Sequence, residues 1–240
     1  MLVSVMKEYI AVDLETTGLV PLADQIIEIG AVKVVEGKVV DTFSQLINPH
    51  RKLPESVKLL THIDDAMLLG AGEEAEVLHD FIEFAGTDCI VGHNIMFDYR
   101  FLRVASKRQK HGFERKGIDT LLLSRHFHPE LEKKNLQNMC EFYQLQIKQF
   151  HRAFQDSMAA ALLYESLNKE FFHREPKAFE PKFLQYKERK IEPITKIQKK
   201  ILIDLIKYHR IEFNPSIELL TKSEASRHID KIILEKGRIV

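Results

Sequence analysis

The segment Ile10–Leu19, IAVDLETTGL, sets two acids into an otherwise apolar, partly β-branched run that ends in a turn-forming Thr-Thr-Gly. Side chains alternate faces along a strand, so Asp13 and Glu15 point one way while Val12 and Leu14 point the other. Two neighbouring carboxylates in a low-dielectric site repel each other and lose hydration. A divalent cation removes both problems, because hard ions such as Mg²⁺ take carboxylate oxygens together with water and substrate phosphate. Taken alone, the pair fits a solvated strand end better.

Further acids change that balance. VGHNIMFDYRFL puts Asp98 just after a short apolar strand, at the opening of a helix. HRAFQDSMAAALL puts Asp156 at the start of another helix, with His151 five residues earlier. Each acid alone suits the first turn of a helix, where the macrodipole favours negative charge, and a lone histidine is ordinarily a surface or packing residue. Together, Asp13, Glu15, Asp98 and Asp156 lie near ends of elements, where mixed α/β folds gather ligand sites. An imidazole beside them has the chemistry to take a proton from water near neutral pH.

The elements that must position these groups alternate between strand and helix from Tyr9 to about Phe172. Strands are expected at 9–14, 26–36 and 38–47, with Glu36-Gly37-Lys38 as a hairpin turn. Shorter strands are expected at 89–92 and 118–119. Helical spacing of apolar residues predicts helices over 73–85, 97–111, 121–127, 135–143 and 156–170. An antiparallel start followed by β–α alternation indicates a mixed sheet with helices on both faces. Residues 174–194 are charged, contain Pro176, Pro181 and Pro193, and hold no sustained period, so they read as a linker, with Phe179, Phe183, Leu184 and Tyr186 available to dock on the body. Beyond it, Thr195-Lys-Ile-Gln198 and Thr221-Lys-Ser-Glu224 match the capping box that opens a helix. Ile197, Ile201, Leu205 and Tyr208 stripe the first of these helices, and Ala225, Ile229, Ile232 and Ile233 the second. The expected organisation is a catalytic domain over 1–173, a linker over 174–194 and a small helical module over 195–240.

Composition narrows the class. Among 240 residues, 45% are hydrophobic and 29% charged, which suits a water-soluble chain with a full-sized core. No run approaches the roughly 18 apolar residues of a membrane span, and the N-terminal segment lacks the pattern of a signal peptide. Cys89 and Cys140 have neither metal-site nor redox spacing and read as thiols in a reducing, cytoplasmic setting. Met1 and Met6 are both candidate starts. Residues 174–240 carry 16 Lys/Arg against 10 Asp/Glu, whereas the rest carries 19 against 25. An acidic body suits cation binding, and a basic tail suits an anionic partner or is simply solvated.

Four segments in order, DLETTGL, IIEIGAV, GHNIMFD and HRAFQD, resemble the DEDDh-type 3′→5′ exonucleases. That group includes the proofreading exonuclease of bacterial DNA polymerase III, as epsilon subunit or PolC exonuclease domain. The resemblance implies a ribonuclease H-like fold, with a mixed five-stranded sheet flanked by helices. It carries the metal-binding acids to Asp13, Glu15, Asp98 and Asp156, and the general base to His151. A sister group has tyrosine four residues before the last acid; here Arg152 stands there, which favours the histidine type. The cofactors implied are two Mg²⁺ or Mn²⁺ ions, with Asp13 bridging them. The resemblance further implies that the backbone at Thr16 meets the terminal 3′-hydroxyl, Leu19 packs on the last base, Phe97 fits between the terminal bases and Asn94 supports the site. Core packing is the alternative for Leu19 and Phe97. His93 is given no role, and neither is His62, which falls in LTHID where members of the group usually carry glycine.

The expected activity is removal of nucleoside 5′-monophosphates from single-stranded or frayed 3′ ends, with DNA favoured over RNA. A DNA polymerase or another replication or repair protein is the expected protein partner, for proofreading in trans or repair. The alternatives are a 3′→5′ exoribonuclease of the same family and a non-catalytic nucleic-acid-binding module.

Overall fold

The computed structural model describes residues 6–147, 149–187, 192–213 and 215–237. Met1, one of the two candidate starts, and the remaining residues of the expected domains lie outside them. The chain divides into two compact units, Met1–Tyr186 and Lys187–Val240.

In the first unit the elements run β1 (Glu8–Thr16), β2 (Ile26–Val35), β3 (Lys38–Leu46), α1 (Glu55–Thr61), α2 (Asp65–Leu68), α3 (Glu74–Ala85), β4 (Ile90–Gly92), α4 (Met96–Arg108), β5 (Lys116–Asp119), α5 (Thr120–Phe127), α6 (Leu136–Phe142), α7 (Ala153–Phe171) and β6 (Lys182–Phe183). The sheet order is β3-β2-β1-β4-β5-β6. β1, β2 and β3 pair antiparallel, β1–β4 and β4–β5 pair parallel, and β6 returns antiparallel on β5.

Alternation along β1 sorts the core. Ile10, Val12 and Leu14 belong to one apolar cluster with Phe81 of α3 and Leu102 of α4. Tyr9 and Ala11 belong to another, with Leu123 of α5, Met139 of α6 and Leu163 of α7. The sheet is therefore covered on both faces, as the β–α alternation requires. Asp13 and Glu15 fall on the α7 face, beyond the apolar part of the strand.

Two expectations change, and two short helices are added. The sheet has six strands rather than five, because Lys182–Phe183 pairs with Lys116 and Gly117. That strand lies in the segment read as a linker, and its N-terminal part docks as well. Pro176–Phe179 forms a 3-10 turn, and Phe179, 2% exposed, stacks on Phe127 at 5.5 Å. Leu184 and Tyr186 pack on the core too, so the docking that these residues allowed does occur, because their burial outweighs the segment's charge. The unpredicted helices α1 and α2 are too short to show a period. α1 ends at His62, whose left-handed φ of 57° is the conformation glycine adopts most readily.

In the second unit, α8 (Lys196–Tyr208) and α9 (Lys222–Lys236) both open with complete capping boxes. The expected stripe of α9 is the one that packs, with Ala225, Ile229 and Ile232 buried. On α8 the buried face is Leu202 with Leu205: Leu205 is the one expected residue that packs, Leu202 takes the place of Ile201, and Ile197 and Tyr208 are 73% and 55% exposed. No helix among the described residues is long and apolar enough to cross a membrane.

Candidate active site

The site opens at the C-terminal end of β1, where its neighbours part. β2 lies on one side of the strand. On the other, β4 pairs only with Ile10 and Ala11. Chain order reverses at this point of the sheet, the place where open α/β sheets hold ligands. A cleft of about 420 Å³ lies there, lined by Asp13, Glu15, Asn94, Phe97, Asp98, His151 and Asp156 among others.

Three elements deliver the four acids. β1 supplies Asp13 and Glu15 on one face. The first turn of α7 supplies Asp156, and one oxygen from each of these three acids lies within 4.8 Å of the others. The first turn of α4 supplies Asp98 from the opposite side of the sheet. Its Oδ1 accepts the Leu14 N–H at 3.1 Å, so Asp98 reaches the cleft around the open edge of β1 and stands outside that three-acid cluster.

Crowding dominates the electrostatics. Burial, then the charges of Asp98, Asp156 and Glu15, pushes the Asp13 carboxyl well above the usual carboxylate range. Burial and the charges of Asp156, Glu28 and Asp98 push Glu15 up to about 8, with Arg152 opposing. Burial raises Asp98 well above its ordinary value and Asp156 to about 6, although backbone donors pull both back. The Oδ1 of Asp156 is buried with no hydrogen-bond partner among the described residues. An orphan acceptor facing two further carboxylates suits a divalent cation, which would satisfy the oxygen and offset the repulsion.

His151 sits in the turn before α7 with φ 62°, and its N–H donates to Oδ2 of Asp156 at 2.8 Å. Its side chain is exposed and lines the cleft, and its ring has no hydrogen-bond partner among the described residues. Asn94, also left-handed at φ 71°, donates its N–H to Oδ1 of Asp119, the N-cap of α5. Phe97 is half-buried against Phe101 at 5.1 Å and presents its remaining surface to the cleft. Thr16 and Leu19 are not brought into the cleft lining. Thr16 Oγ1 donates to the Gly18 carbonyl at 2.6 Å, and Leu19 stands 70% exposed on the following loop. Two arginines hold that loop: Arg51 donates to Thr17 Oγ1 and the Ala23 carbonyl, and Arg108 donates to the Pro21 carbonyl at 2.7 Å.

Sequence reasoning left His93 without a role and overlooked Glu28. His93 bonds Thr120 Oγ1 at 3.0 Å and the Lys134 carbonyl at 2.8 Å, tying the end of β4 to the segment before α6. From there Asn135, Leu136 and Gln137 complete the cleft wall. Glu28, buried in β2, takes a bidentate ion pair from Arg152 at 2.9 and 3.2 Å. The available signal was an acid inside the apolar run IIEIGAV.

Residues 10–164 match the family model described as exonuclease, of the RNase T type. The PolC-type DNA polymerase III of Bacillus subtilis strain 168 is 41% identical over 159 residues, covering 65% of this chain and 11% of that protein. Its counterpart in Caldanaerobacter subterraneus subsp. tengcongensis is 38% identical over 161 residues, 67% of this chain and 12% of that protein. The chain thus spans about a tenth of the length of these curated relatives. Among solved structures, exonuclease X in complex with 5′ overhanging duplex DNA superposes with a TM-score of 0.56 at 25% identity, covering 68% of this chain and 92% of that one. Escherichia coli exonuclease I bound to a dA16 oligonucleotide superposes at 0.61 and 17% identity, over 72% of this chain and 42% of that one, a likeness of fold alone. The fold is ribonuclease H-like.

Proposed function

The chain belongs to the exonuclease family, and from that premise we propose that it is a metal-dependent 3′→5′ exonuclease releasing nucleoside 5′-monophosphates from DNA 3′ ends. The observation that carries the reading is the convergence of Asp13, Glu15, Asp98, Asp156 and His151 on one cleft. Two divalent ions, Mg²⁺ or Mn²⁺, held by the four acids would supply Lewis-acid activation of water and charge stabilisation at the leaving 3′-oxygen. His151 acts as general base: its unpartnered ring takes the proton of the attacking water through a ring nitrogen. The bond from its own N–H to Asp156 keeps the ring beside the acids. Water attacks phosphorus, the P–O3′ bond breaks, and the shortened strand keeps the 3′-oxygen.

Phe97, with a free aromatic surface in the cleft, wedges between the last two bases, a sequence-tolerant contact. Leu19 covers the terminal base from its arginine-braced loop, the Thr16 backbone meets the 3′-hydroxyl, and Asn94 supports the wall beside Phe97. The PolC-type relatives are replicative polymerases by name, so the reading extends to proofreading in trans for a cytoplasmic DNA polymerase, or to repair. The exonuclease domain ends at Tyr186, and the basic C-terminal unit is an accessory module for nucleic acid or a protein partner.

Matched 5′-labelled DNA and RNA oligonucleotides, incubated with Mg²⁺, with Mn²⁺ or with chelator, test the reading. A metal-dependent ladder shortening from the 3′ end of DNA is expected. A ladder on RNA alone would transfer the assignment to an exoribonuclease. Digestion from the 5′ end, or unaltered activity in chelator, would refute it.

A further inference from the structure

Glu28 takes no part in the chemistry above, yet it is 1% exposed and stands directly opposite Glu15 in the β1–β2 register. Facing carboxylates on a ladder repel. Glu28 is engaged elsewhere: Oε1 accepts from Nη2 of Arg152 at 2.9 Å, and Oε2 accepts from Nε of Arg152 at 3.2 Å and from the Ala153 N–H at 3.1 Å. A fork-to-carboxylate pair with a third, backbone donor fixes direction as well as distance. Two residues along the strand, Gly30 stands opposite Asp13. A Cβ on Gly30 would come within 2.1 Å of the Ala153 carbonyl carbon and the Phe154 nitrogen. Glu28 and Gly30 together form a seat for the first turn of α7.

Both groups attached to that seat belong to the site. The Asp156 N–H donates to the Arg152 carbonyl at 3.0 Å, and the His151 N–H donates to Asp156. His151 is held left-handed, a conformation that disfavours a residue with a Cβ and persists where the surroundings impose it. Arg152 occupies the position of the sister group's tyrosine, but its guanidinium is turned to Glu28.

We infer that Glu28 and Arg152 are positioning residues for the reaction: the pair between buried Glu28 and half-buried Arg152 imposes the turn at His151 and aims both the imidazole and the Asp156 carboxylate. The inference rests on the exonuclease reading of the same site.

The test uses the full chain with Arg152→Gln, Arg152→Lys and Glu28→Gln, the last keeping side-chain shape and an acceptor oxygen should loss of the arginine prevent folding. Melting temperature establishes folding, steady-state kinetics on a single-stranded DNA oligonucleotide gives kcat and KM, and electron paramagnetic resonance measures Mn²⁺ binding without substrate. Folded Arg152→Gln and Glu28→Gln proteins are expected to lose about 10–100-fold in kcat and in Mn²⁺ affinity, the usual scale for removing support from metal-binding groups. KM should stay within about threefold of wild type, and Arg152→Lys should recover part of the loss because it keeps the charge without the fork. Folded variants with wild-type kcat and Mn²⁺ affinity would overturn the inference, as would a loss expressed only in KM. If the wild-type chain degrades no nucleic acid, the exonuclease reading falls. Mn²⁺ affinity then decides: reduced affinity sustains the positioning role at Asp156, and unchanged affinity refutes it.

Discussion

The backbone N–H of Leu14 donates to Oδ1 of Asp98 at 3.1 Å, joining residues 84 positions apart. Leu14 lies beyond the last pairing of β1 with β4, at Ala11 and Val91, so the carboxylate substitutes for a missing ladder partner. The amide between Asp13 and Glu15 is thereby tied to the acid of α4, and strand and helix hold their acids in fixed relation.

Replacement of Asp98 separates its structural and chemical roles. Asp98→Ala and Asp98→Asn are both expected to abolish hydrolysis. Asp98→Ala leaves a buried N–H unpaired, a loss of about 1–3 kcal/mol, whereas Asp98→Asn keeps an acceptor oxygen and removes a charge. Denaturant titration of the metal-free proteins should place the Asn variant at or above wild type and the Ala variant below it. Equal stability of the two would argue against the Leu14 bond.

The acid cluster sets a pH dependence. Glu15 is raised from its ordinary value of 4.5 to about 8, so the folded protein holds this proton more tightly than the unfolded chain. The resulting stabilisation is complete below pH 4.5 and is lost as pH rises towards 8. Glu15→Gln carries no such group, so without metal it should gain stability relative to wild type as pH rises. Calorimetry at pH 7 in buffers of different ionisation enthalpy should also detect protons released when Mn²⁺ binds wild type. A stability difference independent of pH would contradict the raised carboxyl.

His151→Ala is expected to lower the hydrolysis rate by roughly 10²–10⁴-fold, the scale of general-base loss. Binding of Mn²⁺ and of a DNA oligonucleotide should persist, because the side chain is assigned to neither. The left-handed backbone adds a control: His151→Gly should be more stable than His151→Ala by about 1 kcal/mol, since glycine adopts that φ without strain. Retention of full activity by either variant would remove His151 from the mechanism.

Truncation distinguishes two boundaries. A chain ending at Tyr186 should fold and degrade short oligonucleotides, because every residue assigned to the site precedes that point. A chain ending at Arg174 loses β6 and exposes Phe127 and Phe172, which Phe179 helps to cover. It should melt at lower temperature and aggregate more readily. If the basic C-terminal unit contacts phosphate, its removal should also weaken long-DNA binding and flatten the salt dependence. Equal melting temperatures for the two truncations would show that residues 175–186 add nothing to the fold.

The sequence by itself determined the features that depend on near neighbours in the chain. Asp13 and Glu15 are visible because strand alternation puts both on one face, and the capping boxes at Thr195 and Thr221 because each joins residues three apart. The stripe of α9 and most strands of the mixed sheet follow from periodicity in the same way. Tertiary structure alone decided the rest. The Glu28–Arg152 pair spans 124 positions, and no local pattern links an acid in β2 to the start of α7. On α8, apolar residues populate two overlapping faces that share Leu205, and the packed partner rather than the period selected Leu202 over Ile197, Ile201 and Tyr208. The sixth strand arose likewise: residues 182–183 have little strand signal of their own, and the open edge of β5 offered them hydrogen bonds. Local propensity is a matter of tenths of a kcal/mol per residue, whereas burying an aromatic such as Phe179 is worth about 1.5–3 kcal/mol. Where the two compete, packing prevails.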